Sequence, residues 1–182
     1  MDTRDRLLDA AERGMRSRGY HAVSFRELAD ELGIKSASVH YYYRQKEDLG
    51  VALVDRYAAG FNEALAEKSA KSQSPEDKIK AFCAVYRNAL TTSGQACLCG
   101  ILSSESAGLP KPVADAARRF IRENIAWIMN ALPASLPDAD RKRRATHIVA
   151  ALQGAMALAA SFGDQGLFDA VVDDINADGV AA

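Results

Sequence analysis

Apolar residues recur along nearly the whole chain at the three- and four-residue spacing of a helix face, and no convincing period-two strand is found. Residues 3–18 put Leu7, Leu8, Ala11 and Met15 on one side, with Thr3 as N-cap and Gly19 as the stop. Ser24-Phe25-Arg26-Glu27 reads as a capping box that opens a second helix. Its apolar residues Phe25, Leu28, Ala29 and Leu32 fall at i, i+3, i+4 and i+7, and Gly33 ends it. Ser36 begins a third helix carrying Val39, Tyr42 and Tyr43. Leu49, Leu53, Tyr57, Phe61 and Leu65 mark a longer one over about 46–69.

The polar stretch 70–74 is the clearest break, and it leads into Ser74 as a cap with Pro75 at the first helical position. Further helices are expected at about 75–93, 96–107, 112–132, 138–162 and 166–177, with Pro110, Pro112, Pro133 and Pro137 in the breaks. The pattern predicts an all-α fold of about nine helices. It comprises a three-helix helix-turn-helix domain over residues 1–48 and a larger helical bundle over 49–182.

Composition narrows the class without naming a function. At 48% hydrophobic and 26% charged residues the chain is ordinary for a globular protein. The count of three cysteines does not make a disulfide framework. The N-terminus lacks the apolar stretch of a signal peptide, and no apolar run is read as long enough to span a bilayer. A soluble cytoplasmic protein with no membrane contact is the expectation. Scattered histidines and two clustered thiols predict no metal site, and no cofactor motif is present.

The net charge of −1 gives no global sign of nucleic-acid binding, so local placement has to carry it. Residues 33–46 hold Lys35, Arg44 and Lys46 and no carboxylate, a local charge of +3 with His40 besides. Two short helices joined through a glycine turn are what a helix-turn-helix needs, the second presenting its N-terminal side chains to the major groove. Ser36 and Ser38 can approach base edges or phosphates, and Ala37 can meet a thymine methyl. His40, Tyr41 and Tyr42 are spread at helical steps and cannot all face a core. Tyr43 is expected inside and Tyr41 facing DNA. Ser24 and the amides beside it, with Arg26, suit a phosphate.

Residues 24–32, the run Gly33-Ile34-Lys35-Ser36-Ala37-Ser38-Val39-His40-Tyr41-Tyr42-Tyr43 and Lys46-Glu47-Asp48-Leu49 together resemble the N-terminal signature of the TetR/AcrR family of repressors. The resemblance is specific over about residues 3–60. It implies that Lys46 starts the fourth helix and touches the DNA backbone, while positions 36–42 supply most base and phosphate contacts. Where the family commonly has a phenylalanine, an aromatic and a proline, this chain has Tyr43, His40 and Arg44. The implied function is a DNA-binding regulator, a repressor released from double-stranded operator DNA by a small-molecule or electrophilic effector, and not an enzyme.

One reading head covers too little DNA for tight specific binding, so a homodimer is expected. Small residues crowd 145–160, among them Ala151, Gly154 and Ala155, with Leu158 beside them. Phe168, Val171, Val172 and Ile175 form an apolar stripe on the next helix, and together these offer a four-helix interface between subunits, as the resemblance also implies. Phe82, Tyr86, Phe120 and Trp127 are candidates to line an effector cavity. Cys97 and Cys99 lie at a helix start, where unpaired amides favour a thiolate, so they are candidates for thiol sensing. Their surroundings resemble a Cys-Leu-x-Gly stretch found in a subgroup of TetR-like regulators. Two other classes compete with the regulator: a helical protein-interaction module, and a small all-α enzyme, for which no catalytic constellation is found.

Overall fold

The computed structural model describes residues 2–178, with only the backbone described at Asp178. Among these residues nine helices and no strands are present. They are α1 (Thr3–Arg18), α2 (Phe25–Leu32), α3 (Ser36–Tyr42), α4 (Lys46–Ser69), α5 (Pro75–Ser93), α6 (Leu98–Ser104), α7 (Lys111–Ala131), α8 (Asp138–Phe162) and α9 (Gly166–Asp178).

The start and stop chemistry explains most boundaries. Ser24 accepts the Glu27 amide at 3.2 Å while Glu27 accepts the Ser24 amide at 2.8 Å, the reciprocal box the pattern predicts. Ser74 accepts the Asp77 amide at 3.0 Å ahead of Pro75. Gly33 leaves α2 at φ +65, a left-handed turn that suits a residue without a Cβ. Two expectations are corrected. Asp2, not Thr3, is the N-cap of α1, and no side-chain capping bond is made there. The sixth helix is seven residues, Leu98–Ser104, because the segment beyond is polar and folds back through a turn from Glu105 to Gly108.

The chain forms two compact units. The first takes Met1–Ala58 and Leu98–Arg119 and so holds α1–α3, the start of α4, α6 and the start of α7. Its core includes Leu7, Leu8, Met15, Leu28, Val39, Tyr43, Leu49, Leu53 and Leu102, all buried. Arg56 closes α4 onto α1 by pairing with Asp9 at 2.7 Å and Glu12 at 3.1 Å. Also from α1, Arg6 donates to the Leu32 carbonyl at 3.3 Å, satisfying part of the C-terminus of α2.

The second unit takes Ala59–Cys97 and Phe120–Ala182. Here α8 packs on α9, and both pack on α5. Phe61 sits among Phe82, Tyr86 and Phe120 in edge-on ring contacts of 5.2–5.7 Å, and Phe82 stacks on Trp127 at 5.4 Å. Contrary to expectation, α8 contains one stretch long and apolar enough by composition to cross a membrane, with a mean hydropathy of 1.4. Of that stretch 39% is buried inside the unit, through the face of Ala145, Ile148, Val149, Leu152, Ala155, Met156 and Ala159.

Candidate nucleic-acid interface

The presentation of α3 follows from which of its side chains anchor it. Val39 and Tyr43, four residues apart, are 0% and 4% exposed and lock one face into the first unit. The Tyr43 hydroxyl also accepts from Arg4 Nε at 3.4 Å. That anchoring turns Ala37 and Tyr41 outward on the opposite face, Tyr41 being 84% exposed, and Arg44 is exposed in the bend past the Tyr43 cap. Lys35, Ser36 and His40 are exposed beside them, and Ser38 and Tyr42 are half-buried. Tyr41 and Tyr42 meet edge to face at 5.2 Å, while His40 meets Phe25 of α2 at 4.9 Å.

The acidic neighbours make local bonds. Asp48 accepts the Gln45 amide at 2.9 Å and thereby caps the start of α4. At the head of α2, Ser24 and Arg26 are exposed. Glu27 there is held below the usual carboxylate range by hydrogen bonds from Arg18 and Ser24. Its charge occupies the α2 terminus that the pattern offers to a phosphate, so an incoming anion meets Arg26 and the Ser24 hydroxyl proton rather than bare amides.

Lys46 is folded back. Its Nζ lies 4.3 Å from the centre of the Tyr20 ring and donates to the His21 carbonyl at 3.4 Å. Burial lowers its pKa, opposed by the charges of Glu27 and Glu105. The Tyr20 phenol beneath it is pushed up to about 12, by burial first and by Glu47 second. Sequence reasoning did not find Tyr20 or Glu105, whose partners lie 85 residues apart along the chain.

The other candidates are distributed as follows. Phe82, Tyr86 and Phe120 are buried in the ring cluster of the second unit, and Trp127 is half-buried. Trp127 also lines a groove of about 240 Å³ with Ser69, Lys78, Asn130 and Ala131. Asn124, missed by the sequence reading, is 2% exposed and donates to the Tyr86 hydroxyl at 3.3 Å, as Gln153 does at 3.0 Å. Cys97 precedes α6 and Cys99 is its second residue; both are buried and neither is in a disulfide. Cys83, also buried, has its thiol pushed up to about 12 by that burial. Ala155, Phe168, Val172 and Ile175 are buried within the chain. Gly154 and Leu158 are exposed, whereas Ala151 and Val171 are half-buried and help line an open groove of about 680 Å³ between α8 and α9. No group of three or more metal-ligating side chains occurs among the described residues.

Comparison with known proteins follows the same lines. Residues 7–53 match the family described as bacterial regulatory proteins, tetR family. The HTH-type transcriptional repressor NemR of Escherichia coli K12 is 29% identical over 134 residues, covering 72% of this chain and 67% of that protein. A TetR transcriptional regulator from Legionella pneumophila superposes with a TM-score of 0.90 at 28% identity, covering 97% of each chain. The reduced form of Escherichia coli NemR gives a TM-score of 0.78 at 24% identity, covering 96% of this chain and 95% of that one.

Proposed function

We propose that this chain, which belongs to the TetR family of bacterial regulatory proteins and is a DNA-binding transcriptional regulator, is a homodimeric repressor that an effector releases from its operator. The observation that carries the DNA reading is the outer face of α3. Ala37 and Tyr41 project from a helix whose other face is locked into a core, with Lys35, His40 and, just past the helix, Arg44 exposed beside them. The run of residues 33–46 around Tyr41 adds Lys35, Arg44 and Lys46 and no carboxylate, which suits a phosphate backbone. In this reading Ser36, Ala37, Ser38, Tyr41 and Tyr42 meet bases and nearby phosphates. Ser24, Arg26, Lys35, His40, Arg44 and Lys46 hold the backbone.

Selection from random duplexes with the purified full chain tests it. A single enriched site with two-fold symmetry is expected. Failure to enrich any duplex would return the chain to the helical interaction module or the small enzyme.

The dimer reading is supported by Gly154. A glycine in mid-helix costs about 1 kcal/mol relative to alanine, and among the described residues nothing lies within 4 Å of where its Cβ would stand. That open face of α8 leaves room for close approach by a second chain, and Leu158, 53% exposed, sits on the next turn. A second copy seated on Ala151, Gly154, Leu158 and Val171 satisfies both. Gly154→Arg should leave the fold intact and produce monomers in sedimentation; an unchanged dimer would sink this interface.

For the effector, Phe82, Tyr86 and Phe120 are closed core, and the open surface beside them is the groove at Trp127 lined by Ser69, Lys78, Asn130 and Ala131, which favours a small molecule with an apolar face. A thiol-reactive effector would meet Cys97 and Cys99 only through local opening, since both are buried. Alkylation by N-ethylmaleimide followed by operator binding separates these: release that tracks labelling of Cys97 or Cys99 supports the thiol, and labelling without release removes it.

A further inference from the structure

The α1–α2 turn is held at two consecutive residues by the two ends of another turn, the one that follows α6. Glu105 Oε2 accepts the Tyr20 amide at 3.0 Å, and His21 Nε2 lies 3.0 Å from the Gly108 carbonyl, which accepts its hydrogen. The holding turn is itself closed, because the Gly108 amide donates to the Glu105 carbonyl at 2.9 Å.

Three further contacts show that the neighbourhood is built around this clamp. Gly19 has φ +84, and a Cβ there would stand 2.3 Å from Glu105 Oε1, so only glycine lets the carboxylate come in. Gly50 of α4 admits the Tyr20 ring, since a Cβ would meet Tyr20 Cε2 at 3.1 Å and Val113 Cγ2 at 2.9 Å. Lys46 then closes over the same ring and bonds the His21 carbonyl.

We propose that Glu105 is a positioning residue for the DNA-reading head: by fixing the Tyr20–His21 turn it sets the angle at which α2 leaves α1 and the seat of Lys46. The inference rests on the DNA-binding reading above. The geometry explains the reach of one side chain. The Val23 amide returns to the Tyr20 carbonyl at 3.3 Å, and Ser24 caps α2 immediately after. A turn fixed at residues 20 and 21 therefore fixes the start of α2, and α2 carries α3 through the Gly33 turn. Without the carboxylate the turn samples other arrangements, and the fraction of heads ready to bind falls, weakening affinity by that fraction. An amide donor left without its acceptor costs enough for about a tenfold effect.

The test uses the full chain, the duplex enriched by the wild-type protein, and amide hydrogen exchange read residue by residue. E105A should raise exchange at the Tyr20 amide about tenfold and weaken the duplex about tenfold, with the Leu28 and Leu53 amides unchanged. E105Q keeps an acceptor oxygen and should remain within about threefold of wild type in both readouts. Faster exchange at Tyr20 with undiminished duplex affinity would overturn the positioning role. So would general loosening that includes Leu28 and Leu53, or an E105Q protein as weak as E105A. If the wild-type protein enriches no duplex, the DNA reading fails on its own. Tyr20 exchange still judges the clamp: acceleration by E105A and rescue by E105Q support it, and unchanged exchange refutes it.

Discussion

Two groups of aromatic side chains in this molecule have opposite fates. His40, Tyr41 and Tyr42 stand on a short helix whose core is only Val39 and Tyr43, and Tyr41 is 84% exposed. Phe61, Phe82, Tyr86 and Phe120 are 7% exposed or less, and their rings touch one another. The second group is a core by ordinary hydrophobic burial, with Asn124 and Gln153 satisfying the single hydroxyl inside it. The first is spent on the surface, among cations. What separates the two groups is neighbouring charge: residues 33–46 carry Lys35, Arg44 and Lys46 and no carboxylate.

The sharpest way to break that contrast is to truncate one member of each group and compare stabilities. Phe82→Ala empties a fully buried ring site and should cost about 3–5 kcal/mol in denaturant unfolding. Tyr86→Phe is a finer probe, since it strands the Asn124 and Gln153 donors and should cost about 1–3 kcal/mol. Ser24→Ala removes the cap of α2 and should cost about 1 kcal/mol by the same measurement. Tyr41→Ala should change stability by no more than about 0.5 kcal/mol, yet alter the sequence selected from random duplexes. A large stability loss at Tyr41, or an unchanged selected sequence, would erase the distinction between the groups.

The helix-turn-helix was legible because its signals are local. Capping at Ser24, the glycine turn at Gly33 and the spacing of Val39 and Tyr43 all act within a few residues, and each is met in the structure. So are the bounds of the helices over 46–69, 75–93 and 138–162. The pattern predicts too long a sixth helix because its polar end, Glu105 to Gly108, turns to hold Tyr20 and His21 instead of extending the helix. No periodicity encodes a contact across 85 residues. Only Gly19, at φ +84 against the Glu105 carboxylate, left a trace, and a helix-stopping glycine is its commoner meaning. Asn124 escaped for a related reason: a polar residue buried by a tyrosine hydroxyl from another helix looks like any surface asparagine in sequence.

An acidic chain that binds DNA through a locally basic head should show it most directly in the salt dependence of affinity for the selected duplex, with Lys46→Ala alongside. Four cations per head, Arg26, Lys35, Arg44 and Lys46, predict that log K falls against log salt with a slope of about −3.6 for each head engaged. Lys46→Ala should reduce that slope by about 1 per head and weaken all sequences alike. Affinity that does not respond to salt, or no duplex binding under any condition, would contradict the account.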